Sequence, residues 1–315
     1  MPPEPPLQDK DNSKPQKPVK DVDNQKSQEP VLDYLNPQEP INKPPIKASK
    51  PTMACSQILY IMIIIVLTPF FYVDVVFYVT PQLLGPIGFT LNAIVCTWIS
   101  YNILGNMWAC YRKTSSVDSL PLELLKPAEG EEHLWRYCKE CQRLMPPRSW
   151  HCKICNCCIL KRDHHCNFTG NCIGHNNQRY FIWLTFYMGL GSSLALVYNF
   201  IFVWRHGFVL VNELFSMAAL QNGPEPDLAF RGAISMVVYG NIVCVIFPFV
   251  MFFSAVSMVR RNTVMFDTSN REYDMGWWRN FSQVLGKLQF WTCLSPAIKS
   301  PLPHDGAQWK TKDKE

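Results

Sequence analysis

Between residues 138 and 172 the chain concentrates thiols and imidazoles, with eight of its thirteen cysteines and three of its seven histidines. Two chemistries use such groups: metal ligation and attack by a thiolate. Zinc in a closed site takes four Cys or His donors in a tetrahedron, and C-x-x-C spacing lets one turn offer two thiolates to one ion. Cys138/Cys141 and Cys152/Cys155 are such pairs. Eleven donors are available, so two closed sites leave three groups over. The run Asp163-His164-His165-Cys166 indicates which, because an acid, an imidazole and a thiol are the parts of an activated nucleophile. His164 takes the proton of Cys166, Asp163 fixes the tautomer of His164, and His165 turns the other way as a metal ligand. One more thiol must be spare, and the spacing leaves Cys157 and Cys158 as alternatives.

These groups need elements to hold them, and the composition points to a membrane. The 315 residues are 48% hydrophobic and 13% aromatic with only 17% charged. Residues 1–52 are rich in Pro, Lys, Asp, Gln and Asn and read as a disordered tail, with P-x-x-P-like pieces at Pro2–Pro6 and Pro15–Pro18. This start is too polar for a secretory signal, so the cysteines are expected as reduced thiols and not as a disulfide framework. A net charge of +5 with no long basic run excludes nucleic acid as the expected partner.

Four runs are long and apolar enough to cross a hydrocarbon core, which takes about 20 residues. They are expected at Gln57–Val79, Leu84–Ala109, Tyr180–Trp204 and Ala233–Val259. Pro69 is a candidate kink, Asp74 is expected near the interface, and Asn92, Ser100, Asn102 and Asn106 are expected to bond between helices. Lys and Arg collect in the loop between the second and third runs and at Arg260 and Arg261, which places both tails and the cysteine loop in the cytosol. The expected organisation is a tail at 1–52, helices 1 and 2 in 53–112, a cysteine-rich domain at 113–179 with its core at 138–172, helices 3 and 4 in 180–259, and a cytosolic segment at 260–315.

The pattern C-x2-C, P-x-R-x2-H-C-x2-C-x2-C, x4, D-H-H-C, x5, C, x4, N, x3, F, from Cys138 through Phe181, resembles the cysteine-rich domain of the DHHC-type protein S-acyltransferases, or palmitoyltransferases. With the four spans, the resemblance covers about residues 55 to 290. It implies an α-helical membrane protein with a cytosolic two-zinc domain between helices 2 and 3, and a two-step transfer. Cys166 would take a fatty acyl group from acyl-coenzyme A as a thioester and pass it to a cysteine of a membrane-associated substrate protein, with His164 as base and Asp163 as its orienting partner. One structural zinc would be held by Cys138, Cys141, His151 and Cys158, the other by Cys152, Cys155, His165 and Cys172, which leaves Cys157 free. Family habit points to the endoplasmic reticulum or the Golgi.

The reaction adds further expectations. The acyl chain would lie among the helices, with Gly189, Gly191, Ser192 and Ser193 at the deep end of its cavity. Coenzyme A phosphates would meet Arg148, Lys161 and Arg162, with Arg148 in the P-x-R element the strongest candidate and the other two also readable as ordinary positive charge of a cytosolic loop. Tyr273–Gly286 resembles the family's segment after the last helix, with Asn280 as its structural asparagine and Trp277, Trp278, Phe281 and Trp291 at the membrane surface. Three places depart from the family pattern. Asn167-Phe168 follows the nucleophile where Pro-Trp is usual, no Asp-Pro-Gly element follows span two, and Thr-Thr-x-Glu is replaced by Thr263-Val264-Met265-Phe266. The competing reading is a catalytically weak membrane scaffold whose zinc domain binds a partner.

Overall fold

A computed structural model describes residues 55–207, 210 and 226–311. The segment 1–52, read above as a disordered tail with adaptor-binding pieces, lies outside the described residues. Four helices long and apolar enough to cross a membrane run at Cys55–Leu83 (α1), Pro86–Arg112 (α2), Gln178–Arg205 (α3) and Phe230–Arg261, the last being most of α4, Pro226–Arg261. Helix is the form that satisfies every backbone group of a single segment within itself, as an apolar surrounding demands. Their ends fall where the apolar runs meet charge or a helix breaker. Pro86 opens α2 in the first turn, where its missing N–H is no loss, and Arg112, Arg205 and Arg260-Arg261 close α2, α3 and α4.

Helix α3 is the central one, packing along both α2 and α4, while α1 lies against α2 and touches α3 through its far end. The close approach of α3 to α4 depends on Gly189, because a Cβ there would stand 2.9 Å from the Phe249 ring. α1 continues through Pro69 and switches to π-helical bonding over Asp74–Val79. Asp74 is tied to a neighbour: its Oδ2 accepts a hydrogen bond from Asn199 Nδ2 of α3 at 2.9 Å. The asparagines of α2 mostly bond within their own helix. Asn102 donates to Trp98 O (3.0 Å) and to Leu294 O (3.5 Å), and Asn106 to Asn102 O (2.8 Å). The interhelical role expected for them goes instead to the C-terminal segment, where Trp98 donates to Leu294 O, Trp183 to Thr292 Oγ1 and Tyr187 to Cys293 O.

Between α2 and α3 lie three short antiparallel hairpins: β1 (Arg136–Cys138) with β2 (Arg143–Met145), β3 (Trp150–Cys152) with β4 (Cys157–Ile159), and β5 (His164–Cys166) with β6 (Asn171–Ile173). Their buried clusters consist largely of cysteines, such as Cys138 and Cys158 beside Val117, Met145 and Leu160. Pieces this small bury too little carbon to fold alone, which is the usual condition for a metal-stapled unit. After α4, helix α5 (Trp277–Leu285) buries Asn280, Phe281, Val284 and Leu285 and exposes Trp277 and Trp278, as a helix lying along an interface does. Asn280 is fully buried and saturated, donating to Arg260 O and Asp274 Oδ1 and accepting from Met275 N.

Candidate active site and metal centres

The hairpins interleave two donor sets. The first knuckle supplies Cys138 and Cys141, and the cross-strand pair His151 and Cys158 of β3–β4 completes the set. The same second hairpin supplies Cys152 and Cys155, completed by the cross-strand pair His165 and Cys172 of β5–β6. Each C-x-x-C turn ends on a residue of positive φ, Gln142 at 51° and Asn156 at 50°, and the second cysteine's N–H bonds the first cysteine's sulfur at 3.4 Å. All four donor atoms of each set lie within 4.8 Å of one another. The separations are tetrahedral edges: Cys141 to Cys158 is 3.5 Å, Cys155 to Cys172 3.6 Å, and the Nδ1 atoms of His151 and His165 each stand 3.3 Å from the second cysteine of their pair. A zinc–sulfur bond of about 2.3 Å requires an edge of about 3.7 Å, so both sets fit a closed tetrahedral ion. The packed thiols point the same way. Cys138, then Cys141 and burial, push the Cys158 thiol far up, and Cys152, Cys155 and burial do the same to Cys172, a crowding that a divalent cation relieves by displacing protons. Cys157, beside Cys158, belongs to neither set.

The third hairpin also carries His164 and Cys166, with Asp163 just before it, the three groups expected to react. His164 Nδ1 lies 3.0 Å from Asp163 Oδ2, and the ring stands edge-on to Phe181 with centroids 5.0 Å apart. Burial by itself pushes the His164 imidazole down, but hydrogen bonds to Asp163 and Cys166 and the charges of both hold it up at about 9. Burial likewise raises the Cys166 thiol, yet the hydrogen bond and charge of His164, helped by Thr169, bring it below its ordinary value. Both directions favour a thiolate beside an imidazolium, the pairing that a thiol nucleophile uses. Asp163 is 1% exposed, and its second oxygen accepts from the backbone N–H of Met265 at 3.3 Å.

The departures from the family pattern acquire local meaning. Met265 sits in the run that replaces Thr-Thr-x-Glu, so a main-chain donor reaches Asp163 there. Phe266 of the same run stacks on Trp150 at 5.8 Å and receives the Arg162 guanidinium at 4.4 Å. Where Asp-Pro-Gly is absent, Ser115 O accepts from Leu160 N and Ser116 pairs with Ile159, which docks the hairpins under the end of α2. Asn167 begins a turn closed by Thr169 N to Cys166 O and Gly170 N to Asn167 O, both 3.3 Å. Phe168 points among Tyr60 and Phe247, with centroids 5.1 and 5.5 Å away.

Phe168 also closes one end of an apolar cavity of about 370 Å³ between the four helices, lined by α1 from Ile63 to Val75, by Ile99 and Ile103, and by Gly191, Ser192 and Ala195 of α3. Twelve helical residues span about 18 Å. Cys166 is 6% exposed and belongs to the buried cluster of Ile64, Ile99, Ile103 and Tyr187, so its sulfur faces the helix bundle. Of the four small residues expected at this cavity, Gly191 and Ser192 line it, whereas Gly189 meets Phe249 and Ser193 donates back to Gly189 O.

The three cations form no open basic face. Arg148 is 6% exposed, donates to Asn262 O (2.7 Å) and Oδ1 (3.1 Å), and lies between Tyr273 and Trp309; burial pulls it down to about 9. Lys161, equally enclosed, is 5.7 Å from the Trp309 ring and is lowered by burial and by Arg148. Arg162 bonds His151 O at 3.1 Å. Together they join the hairpins to the segment after α4. The sequence reading missed three supporting groups, Met265, Phe266 and Gln57. Only Gln57 left a signal, as an amide at the head of an apolar run.

The family model described as DHHC palmitoyltransferase matches residues 131–272. A Danio rerio protein named Probable palmitoyltransferase ZDHHC24 is 38% identical over 56% of this chain and 62% of its own length. Its Homo sapiens namesake is 29% identical over 73% of this chain and 82% of its own. An Arabidopsis thaliana protein, Probable protein S-acyltransferase 12, is 31% identical over 49% of this chain and 52% of its own. The chain thus spans less than two thirds of the zebrafish relative but most of the human one. The matched domain spans both donor sets and the Asp163-His164-His165-Cys166 run, and four membrane-length helices accompany it among the described residues, so over this part the chain is similar to the DHHC palmitoyltransferases.

Proposed function

We propose that the protein is an integral-membrane S-acyltransferase that moves a palmitoyl or similar fatty acyl group from acyl-coenzyme A, through a thioester on Cys166, to cysteines of membrane-associated proteins. The observation that carries this reading is the position of Cys166, paired with His164 and packed in the buried cluster whose Ile64, Ile99 and Ile103 also line an apolar cavity in the helix bundle, with Phe168 two residues on in its wall. The Cys166 thiolate adds to the acyl carbonyl, and coenzyme A leaves as a thiolate that takes the proton of the His164 imidazolium. In the second half a substrate cysteine gives its proton to His164 and attacks the Cys166 thioester. The acyl group moves to the substrate, and Cys166 returns to thiolate. Asp163 holds the ring through Nδ1 in both halves, and Met265 N–H holds Asp163. The cavity contributes binding, at about 0.8 kcal/mol per buried methylene.

The two donor sets would each hold one zinc, the first through Cys138, Cys141, His151 and Cys158, the second through Cys152, Cys155, His165 and Cys172. Closed by four protein donors, such ions supply folding and no open coordination position. We assign the hairpins and both termini to the cytosol on the distribution of Lys and Arg, and the protein to the endoplasmic reticulum or Golgi.

The test is incubation of the purified protein with radiolabelled palmitoyl-coenzyme A. Label that survives denaturation and is released by neutral hydroxylamine supports the reading, and absence of any such label leaves the scaffold alternative. Two further outcomes are expected. Gly191→Phe should fill the cavity beside Ile99, whose methyl is 3.0 Å from a Cβ at this position, and shift the preference toward shorter donors. A loss of about tenfold for palmitoyl against lauroyl donors corresponds to about two methylenes of lost burial; an unchanged chain-length profile would remove Gly191 from the cavity's function. Of the three cations, Arg148 and Lys161 are enclosed beside Tyr273 and Trp309, and Arg162, the most exposed at 9%, is the one we assign to the donor phosphates. One charge-assisted contact is worth about 1.5–3 kcal/mol, so Arg162→Gln is expected to raise the KM for acyl-coenzyme A about tenfold or more. A KM unchanged for the coenzyme A donor would make Arg162 structural as well.

A further inference from the structure

The second donor set is touched from the membrane side. Gln57, in the first turn of α1, is 5% exposed, and its side-chain amide lies 2.8 Å from His165 Nε2 across 108 residues of sequence. The other nitrogen of that ring, Nδ1, faces Cys152, Cys155 and Cys172 at 3.7, 3.3 and 3.6 Å. We propose that Gln57 is the outer partner that orients His165 toward its metal, tying the entry of α1 to the hairpin that carries His164 and Cys166. This rests on the two-zinc reading given above.

The chemistry requires an acceptor at this place. With its Nδ1 lone pair given to a metal, an imidazole carries its hydrogen on Nε2 and must donate there, and ligating histidines nearly always have an acceptor at this place. The Gln57 amide stands within hydrogen-bond distance of Nε2. Half a turn of the amide plane puts its oxygen at the same spot as acceptor once metal is bound. Glutamine does both, glutamate only accepts, lysine only donates and leucine does neither. Ile58 and Leu59 beside Gln57 face outward, so the helix turns its one buried polar group of this turn inward, onto the histidine. An inward amide without a partner would oppose the docking of α1, whereas one bonded to His165 fixes the helix's rotation and height. The same helix lines the acyl cavity from Ile63 onward, so the contact sets the register between cavity wall and nucleophile.

The first donor set, Cys138, Cys141, His151 and Cys158, has no part in this contact and serves as an internal control. The full chain, purified in detergent, is challenged with a chelating zinc indicator and release is followed in time. In Gln57→Leu one zinc per chain should leave about ten- to a hundredfold faster, the range seen when outer-shell partners are removed, while the other leaves at the wild-type rate. Gln57→Glu should behave as wild type, and Gln57→Lys should show the same selective loss as leucine while keeping a polar end at this site. Wild-type release from both sites in the leucine and lysine variants, or equal acceleration of both zincs, overturns the assignment. So does a glutamate variant as labile as the leucine one. Two zincs released normally from Gln57→Leu overturns this inference alone, whereas a wild-type chain that holds no zinc overturns the two-zinc reading along with it.

Discussion

Replacing Cys166 with serine is expected to abolish thioester labelling by palmitoyl-coenzyme A, with a loss on the order of a thousandfold or more, as removal of a nucleophile gives elsewhere. The physical reason is narrow. Serine matches cysteine closely in size, so the buried position, 6% exposed beside Tyr187 and Ile173, keeps its packing. What disappears is a thiol whose ionisation His164 favours. A serine hydroxyl is far too weak an acid to follow it, and an oxygen ester formed in its place would resist hydroxylamine under conditions that cleave a thioester. Zinc content and melting temperature should remain those of wild type, because Cys166 is in neither donor set. Substantial hydroxylamine-sensitive label on Cys166→Ser would move the nucleophile to another cysteine. The deeply buried Cys110, in the same apolar cluster, would be the first to test.

The second large effect separates two adjacent histidines. His164 and His165 are consecutive in β5, so their side chains leave opposite faces of the strand. One meets Asp163 and Phe181, the other the three thiols of the second set. His164→Ala is expected to retain two zincs and to lose about a hundred- to ten-thousandfold in acyl-enzyme formation, the usual worth of a positioned acid–base group. His165→Ala is expected to lose one zinc, lower the melting temperature and lose activity as a consequence, because metal binding and folding are one equilibrium in a unit without its own core. Elemental analysis of the purified variants decides it. Equal zinc loss in both would collapse the distinction on which the mechanism rests.

Much of this site was readable in the amino-acid order because metal ligation and nucleophilic chemistry constrain residue type and spacing locally. Two C-x-x-C knuckles, an acid beside a histidine, and a cysteine two residues on are short-range patterns, and zinc's four-donor rule left a definite remainder. The spans were equally legible, since a segment in lipid must satisfy its own backbone and announces this by length and apolarity. The choice between Cys157 and Cys158 was not open to that arithmetic. It follows from the antiparallel register that sets His151 opposite Cys158 and leaves Cys157 facing Cys152 across the strands.

What the tertiary structure alone decided are contacts between segments far apart in the chain, where no periodicity carries information. Met265 reaches Asp163 through its backbone, a group every residue but proline has, so its side chain gave no sign of the role. Arg148, Lys161 and Arg162 looked like a surface field, but Tyr273, Trp309 and Phe266 enclose them, because a cation on an aromatic face keeps much of the stabilisation it loses with water. Gly189 and Gly191, two residues apart, look interchangeable as letters, yet successive positions on a helix are rotated by about 100° each. One therefore meets Phe249 and the other the apolar cavity. The sequence by itself thus determined which residue types crowd together, the spacing of the candidate donors, and four apolar runs of membrane length. The fold decided which face each of those groups presents, and that Cys166 opens on carbon rather than on water.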